Sequence, residues 1–373
     1  MTPSSLLRTA LAILLAISIS VCLCVPTYAS VTEFSLSAHS ALLMDASDRS
    51  VLFEKNAHIP MGMASTTKIM TALLAAERLD PEKIITIPPE AVNVEGSSVY
   101  LCVGEMLTVE QLLCALMLAS ANDAATALAI AVSGSVEDFA DEMNQRAKEL
   151  GLENTHFVNP HGLSHKEHYT TAYDLAMLSA AALENKTVAR IAAMQTATIP
   201  QGVTSEVPGG ATTRYLVNHN KMLRTYDGAL GLKTGFTKAT GRCLVSAAER
   251  DGLKLIAVTL DAPDDWRDHT AMLDYGFLTY ERVTLCPAGA FSYQYPVVGG
   301  AEDYVTLVNT QPLILTLPRT REEESYTVSS HQRFEFAPIR RGDTMATLTV
   351  TVGKRSASSP LAAAYELPSW ITR

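Results

Sequence analysis

Cysteine is scarce in this chain of 373 residues: six in all, and two of them, Cys22 and Cys24, stand in an N-terminal stretch that is set apart below. The other four, Cys102, Cys114, Cys243 and Cys286, follow no zinc-ligand spacing. They read as four separate small apolar residues, with one disulfide as the alternative in an oxidising compartment. No basic run with interleaved aromatics occurs, which argues against a nucleic-acid partner. Low-complexity tracts and internal repeats are missing too, so the composition is that of a globular protein. Aliphatic residues are plentiful, and the length has room for two domains and a large buried core.

Only one long apolar run exists. Leu11 to Val25 is nearly uninterrupted, Arg8 is the only charge before it, and Thr27-Tyr28-Ala29 closes it like a cleavage site. This predicts a secretory signal peptide over residues 1–29, removed after Ala29, with an uncleaved anchor as the alternative. Either way the rest of the chain is expected outside the cytoplasm. Cys22 and Cys24 lack the small-residue context of a lipid attachment site. Of 29 Lys and Arg only Arg8 lies in the signal, and the remaining 28 face 39 Asp and Glu, a net charge of −11.

Local patterns give a coarse map. Residues 41–44 and 51–54 read as strands around the polar turn Asp45 to Ser50. A helix is expected from Ser65 to about Leu79. Another opens at Thr108, where Gln111 completes a capping box, and ends near Ser120. A third runs from Ser135 to Leu150 and stops at Gly151. Thr171 with Asp174 opens a fourth. Residues 241–248 and 253–260 then read as strands joined by the turn Glu249 to Gly252, followed by a helix from Asp264 to Leu278. Beyond Arg282 only β-type runs remain: 304–308, 313–317 and 346–352. The expected fold is therefore α/β: an antiparallel sheet covered by helices with a largely helical subdomain over residues 30–282, and a small all-β domain over 283–373.

Three short motifs carry chemistry. Ser65 and Lys68 in Ser65-Thr66-Thr67-Lys68 share a helix face, so the lysine can reach the hydroxyl. A serine hydroxyl is a weak nucleophile and needs such a base, which must be neutral part of the time. In Ser120-Ala121-Asn122 the serine can relay a proton and the asparagine can hold an amide. Read locally, the same asparagine is a stop for the apolar helix before it. In Lys233-Thr234-Gly235 a strand edge without a side chain at Gly235 lets a substrate backbone lie alongside. Lys233 and Thr234 offer a charge and a hydroxyl to a carboxylate. Each motif alone has an ordinary structural explanation; their coincidence in this order does not.

The three motifs resemble those of the serine-type D-alanyl-D-alanine carboxypeptidases, the low-molecular-mass penicillin-binding proteins. Ala64 to Thr71, Ser120-Ala121-Asn122-Asp123-Ala124-Ala125 and Gly231-Leu232-Lys233-Thr234-Gly235 carry the likeness. Phe157 to Leu163, His168 to Ala176 and Asn218-His219-Asn220 resemble segments between the motifs of that family. The likeness spans roughly residues 35–282 and reaches Ile339-Arg340-Arg341-Gly342-Asp343 more weakly. It implies Ser65 as nucleophile, Lys68 as general base and Ser120 as proton relay. Asn122, Lys233, Thr234, Gly235 and His219 would bind substrate, and the backbone N–H groups of Ser65 and Phe236 would form the oxyanion hole. The implied partners are a peptidoglycan stem peptide ending in D-Ala-D-Ala and β-lactam antibiotics as inhibitors, with no metal and no cofactor.

Two departures stand out. His219 occupies a position where some members carry arginine near the substrate carboxylate, which shifts weight to Lys233. Many members also end in a basic amphipathic helix on the membrane, whereas Ala362 to Arg373 has no such run. Membrane-surface association is thus one expectation and a soluble secreted form the other. Three rival functions fit the sequence less well. A class A β-lactamase needs an added glutamate followed by Leu-Asn, and Glu153-Asn154-Thr155-His156 does not fit. His156, His161, His165 and His168 crowd one segment, but His165-Lys166-Glu167-His168 has the wrong spacing for a zincin. A non-catalytic wall binder would not keep every motif residue. Carboxypeptidase and endopeptidase activities use the same residues and stay undivided at this level.

Overall fold

The computed structural model describes residues 35–201, 212–320 and 323–370, so the expected signal peptide lies outside the described residues. The early hairpin forms as β1 (Ser40–Asp45) and β2 (Val51–Lys55), turning through Ala46 to Ser50. It joins β3 (Ala229–Thr237), β4 (Gly241–Arg250) and β5 (Leu253–Leu260) in one antiparallel sheet of order β2-β1-β5-β4-β3. β1 and β5 lie side by side inside it and are buried almost throughout, which is why both read as continuous apolar runs. β3 is an edge strand, and its free side is where the second and third motifs meet the first.

Helices account for the middle of the chain. A 3₁₀ turn over Ala64–Thr67 leads into α1 (Lys68–Arg78). α2 (Val109–Leu118) carries the expected capping box, Gln111 N–H to Thr108 Oγ1 and Thr108 N–H to Gln111 Oε1. α3 (Asn122–Ser133) follows, then α4 (Val136–Glu149), capped by Ser135. α5 (Ala172–Glu184), capped by Thr171, packs on β5 and β1, and α6 (Lys186–Ala192) follows it. α7 (Asp265–Thr279) packs on β5 and β4, where its Gly276 lies against Leu43 and Leu255. Leu42 belongs to the main core, so neighbouring β1 side chains serve opposite faces of a sheet covered on both sides.

The local reading of Asn122 as a helix stop is corrected here. Asn122 opens α3, and the break lies two residues earlier, at Ser120, which holds a left-handed φ of 59°. α3 is rich in Ala, with Leu128, Ile130 and Val132, and packs among α1, α2 and α4, so it shows no single apolar stripe.

From Tyr280 the chain is β-structure. β6 (Tyr280–Cys286) contains residue 282 and pairs with β9 (Leu313–Pro318). β7 (Ser292–Val298), β8 (Tyr304–Asn309), β10 (Glu324–Ser329), β11 (Thr344–Val352) and β12 (Arg355–Ala363) form a larger sheet of order β10-β11-β12-β8-β7, to which Glu335–Phe336 adds. Tyr295, Leu307, Leu315, Leu348 and Leu361 belong to a second core, separate from the first. Arg282 Nη1 stands 3.7 Å from the buried Asp45 carboxylate of β1, which also accepts the Thr316 hydroxyl. Cys102, Cys114, Cys243 and Cys286 are all free thiols.

Candidate active site

Ser65 sits on a strained and heavily braced turn. Ala64 before it has a left-handed φ of 46°, which for a residue with a Cβ costs on the order of 1–3 kcal/mol. The bracing is visible: Thr66 Oγ1 donates to Met63 O at 2.6 Å and Thr67 Oγ1 to Ala64 O at 2.8 Å. His168 Nδ1 accepts the Val158 N–H at 3.0 Å, so Nε2 carries the ring proton and donates it to Thr67 Oγ1 at 2.7 Å. Burial holds that ring neutral, with its pKa down to about 4. Gly162 (φ 90°) presses on the same turn; a Cβ there would lie 1.9 Å from Ala64 O.

Lys68 opens α1 with its side chain fully buried. Its Nζ lies 3.0 Å from Ser65 Oγ, 2.7 Å from Asn122 Oδ1 and 2.6 Å from the His161 carbonyl. Burial, and next the Lys233 charge, hold its pKa well below the usual lysine value, while Asp123 opposes them. A neutral amine has two N–H groups and one lone pair. The carbonyl of His161 and Oδ1 of Asn122 accept the first two, which aims the lone pair at the Ser65 hydroxyl. Asn122 is held in that sense because its Nδ2 donates to Glu95 O at 2.5 Å.

The second motif reaches the site through the turn between α2 and α3. Ser120 is 4 % exposed, and its left-handed backbone places it on the wall of the groove. Asp123 beside it is buried and accepts from Ser98 Oγ at 2.6 Å and from the N–H groups of Val99 and Leu101 at 3.2 and 3.0 Å. It thereby pins the loop that brings Ser97 to the groove.

The third motif lies on the sheet edge. Lys233 is buried, donates to Thr234 O at 3.0 Å, and burial brings its pKa down to about 7. Gly235 meets the nucleophile directly: a Cβ there would stand 2.9 Å from Ser65 N. Phe236 is 62 % exposed at the mouth. His219 lines the same groove, and burial together with Lys233 lowers its pKa. The groove measures about 740 Å³ and runs from Ser65 and Ser120 past Thr234 to Trp266.

The residues of the three motifs, with His219 and Phe236, thus gather around one groove or directly beneath it. What the sequence did not show are the supports: the carbonyls of His161 and Glu95, the close approach of Gly162, and Asp123. Backbone acceptors leave no side-chain signature, although Asn159-Pro160-His161-Gly162 stood out as a segment. Glu153 is exposed and borders a different cavity, with Asn144 and His156. Each ring of the four crowded histidines has a protein contact: His156 Nδ1 with Glu167 O at 2.6 Å, His165 Nδ1 with the Glu167 N–H at 3.2 Å, His161 Nδ1 with the Leu163 N–H at 3.3 Å, and His168 in the bracing described above.

Residues 27–264 match the family model for Peptidase_S11, D-alanyl-D-alanine carboxypeptidase. The chain is 31 % identical over 346 residues to D-alanyl-D-alanine carboxypeptidase DacF of Bacillus subtilis (strain 168), covering 90 % of this chain and 87 % of that one. It is 34 % identical over 263 residues to a D-alanyl-D-alanine carboxypeptidase of Streptomyces sp. (strain K15), covering 66 % of this chain and 90 % of the relative. Among solved structures, a peptidoglycan synthesis regulatory factor from Streptococcus pneumoniae superposes with a TM-score of 0.75 at 26 % identity, covering 90 % of this chain and all (100 %) of that one.

Proposed function

The chain belongs to the D-alanyl-D-alanine carboxypeptidase family, and on that premise we propose how its own residues carry the reaction. Membership makes it a serine-type D-Ala-D-Ala carboxypeptidase, a hydrolase with the peptidoglycan stem peptide as substrate class and β-lactam binding. In the proposed reaction Ser65 Oγ attacks the carbonyl between the two terminal D-alanines while neutral Lys68 takes its proton. The oxyanion is held by the N–H groups of Ser65 and Phe236. The carbon–nitrogen bond breaks, the Ser120 hydroxyl passes a proton to the departing amine, and D-alanine leaves. Lys233, Thr234 and His219 hold its carboxylate, and Gly235 leaves space for the peptide beside β3. Asn122 orients Lys68 and lies next to the bound peptide. Water then hydrolyses the ester on Ser65.

The observation that carries this reading is the triple contact of Lys68 Nζ with Ser65 Oγ, Asn122 Oδ1 and His161 O. Penicillins acylate Ser65 in the same way in this reading; Glu153, the candidate deacylating glutamate of a β-lactamase, stands at another cavity. The test is D-alanine release from a stem pentapeptide by wild type, Ser65→Ala and Lys68→Ala. Release by wild type alone supports the reading, and equal release by Ser65→Ala removes it.

Two further parts belong to the proposal. Residues 30–282 are read as the catalytic domain and 283–373 as a small β domain; the two separate cores support this. Two calorimetric transitions are expected, and a single cooperative one would count against the division. The enzyme acts outside the cytoplasm, as members of its family do, either secreted or at the outer face of the membrane. Among the described residues no helix is long and apolar enough to cross a membrane. Cell fractionation with and without high salt separates a free form from one held at the membrane surface.

A further inference from the structure

The groove is lined well beyond the three motifs. Phe236 pairs with Arg242 across β3 and β4, so these two side chains and Thr234 share one face of the sheet. Along that face the groove continues to Trp266 in the first turn of α7, with Lys221, Arg224 and Arg242 around it. Lys221 Nζ stands 5.9 Å and Arg242 Cζ 5.8 Å from the Trp266 ring centre, within cation–π range. The ring therefore props both cations at the groove's far wall.

The charge at this end is not balanced. The lining holds two carboxylates, and each already has a partner: Asp265 pairs with Arg242 at 2.9 Å, and Asp264 with Arg267 at 3.2 Å. Among the described residues neither Lys221 nor Arg224 has a carboxylate partner; Arg224 reaches only the Asn218 carbonyl, at 3.4 Å. A volume of about 740 Å³ suits a ligand far larger than one alanine. The unpaired positive charge of Lys221 and Arg224 lines the same groove as Thr234.

We propose that the wall formed by Lys221, Trp266 and Arg242 is a subsite for the side chain of the leaving residue, selecting D-amino acids that carry an additional anionic group or an anionic peptide branch. This rests on the reading that Thr234 and Lys233 hold the leaving residue's own carboxylate. The chemistry is unchanged: the same amide breaks, Ser65 keeps the acyl group, and the departing amine takes the same proton. Only the identity of the leaving residue differs, and Lys221 acts as a specificity determinant.

The test uses the mature chain and three donors differing in the last residue: D-Ala-D-Ala, D-Ala-D-Glu and its neutral counterpart D-Ala-D-Gln. Wild type is expected to release D-Glu over D-Gln with a kcat/KM ratio of about fivefold, the upper range for an accessible charge pair. The ratio should shrink as salt is raised. Lys221→Ala should bring it close to one and Lys221→Glu below one, both leaving D-Ala-D-Ala turnover within about twofold, since Lys221 is exposed. A ratio of one in wild type, or the same ratio in wild type and Lys221→Glu, overturns the subsite while D-Ala-D-Ala release stands. Loss of D-Ala-D-Ala release from wild type overturns the underlying reading and the subsite together.

Discussion

Lys68 Nζ meets Ser65 Oγ at 3.0 Å with its other two positions already taken by Asn122 Oδ1 and the His161 carbonyl. In the proposed mechanism that arrangement makes a base of a residue that is ordinarily a cation. Burial favours the neutral amine, and the two fixed acceptors decide which way its lone pair points.

Removing the base should therefore affect chemistry far more than folding. For Lys68→Ala the rate constant of penicillin acylation is expected to fall by about 10³, within the range for general-base catalysis. Asn122→Ala leaves the amine but frees its orientation, and a loss of about 10² is expected. Stopped-flow acylation with a fluorescent penicillin measures both. A Lys68→Ala variant as fast as wild type would remove the lysine from the mechanism.

In the proposed mechanism the pH dependence follows from two lysines with opposite requirements. Lys68 must be neutral, and because its pKa is lowered, acylation fails only as pH falls through that lowered value. Lys233 must be charged to hold the substrate carboxylate, and burial brings its pKa to about 7 in the ligand-free enzyme. A bell-shaped profile of kcat/KM for D-alanine release is expected. Lys233→Arg, which does not deprotonate, should carry the alkaline limb to higher pH. An alkaline limb that stays in place would assign it to another group.

Stability should move the other way from activity at Lys233. Its folded pKa of about 7 lies below the ordinary 10.5, so the unfolded chain binds more protons between those values and stability rises with pH across that window. At pH 7 the buried amine is therefore a cost, relieved only towards pH 10.5. Lys233→Met should raise Tm at pH 7 by a few degrees, corresponding to about 1 kcal/mol or more, while lowering D-alanine release. A lower Tm at pH 7 would show the amine to be stabilising where it sits.

Gly162 tests the bracing of the nucleophile turn. A Cβ there would come within 1.9 Å of Ala64 O on a backbone with φ of 90°, whereas at Gly151 (φ 72°) no atom lies within 4 Å. Gly151→Ala should cost about 1 kcal/mol from backbone strain alone. Gly162→Ala should cost about 3 kcal/mol or more and slow acylation of whatever protein folds. Urea unfolding compares the two, and equal losses would mean that the turn does not depend on Gly162.

How far the sequence could be read depended on which part of a residue acts. Ser65, Lys68, Ser120, Lys233 and Thr234 carry side chains of distinctive chemistry at telling spacings, so their gathering at one site was legible. The capping box of Thr108 and Gln111 was legible for the same reason. α3 was not, because its apolar residues face every direction and Asn122 looks locally like a stop. His161 and Glu95 contribute carbonyl oxygens, and any residue has one. The far wall of the groove joins Lys221, Arg242 and Trp266 from three separate segments, so only the folded chain brings them together.

The most direct measurement is intact-mass spectrometry of the mature protein after brief exposure to benzylpenicillin, alongside Ser65→Ala. One penicillin mass added to wild type and none to the variant is the expected result, with the adduct persisting for minutes. An adduct on Ser65→Ala, or none on wild type, would contradict Ser65 as the acylated nucleophile.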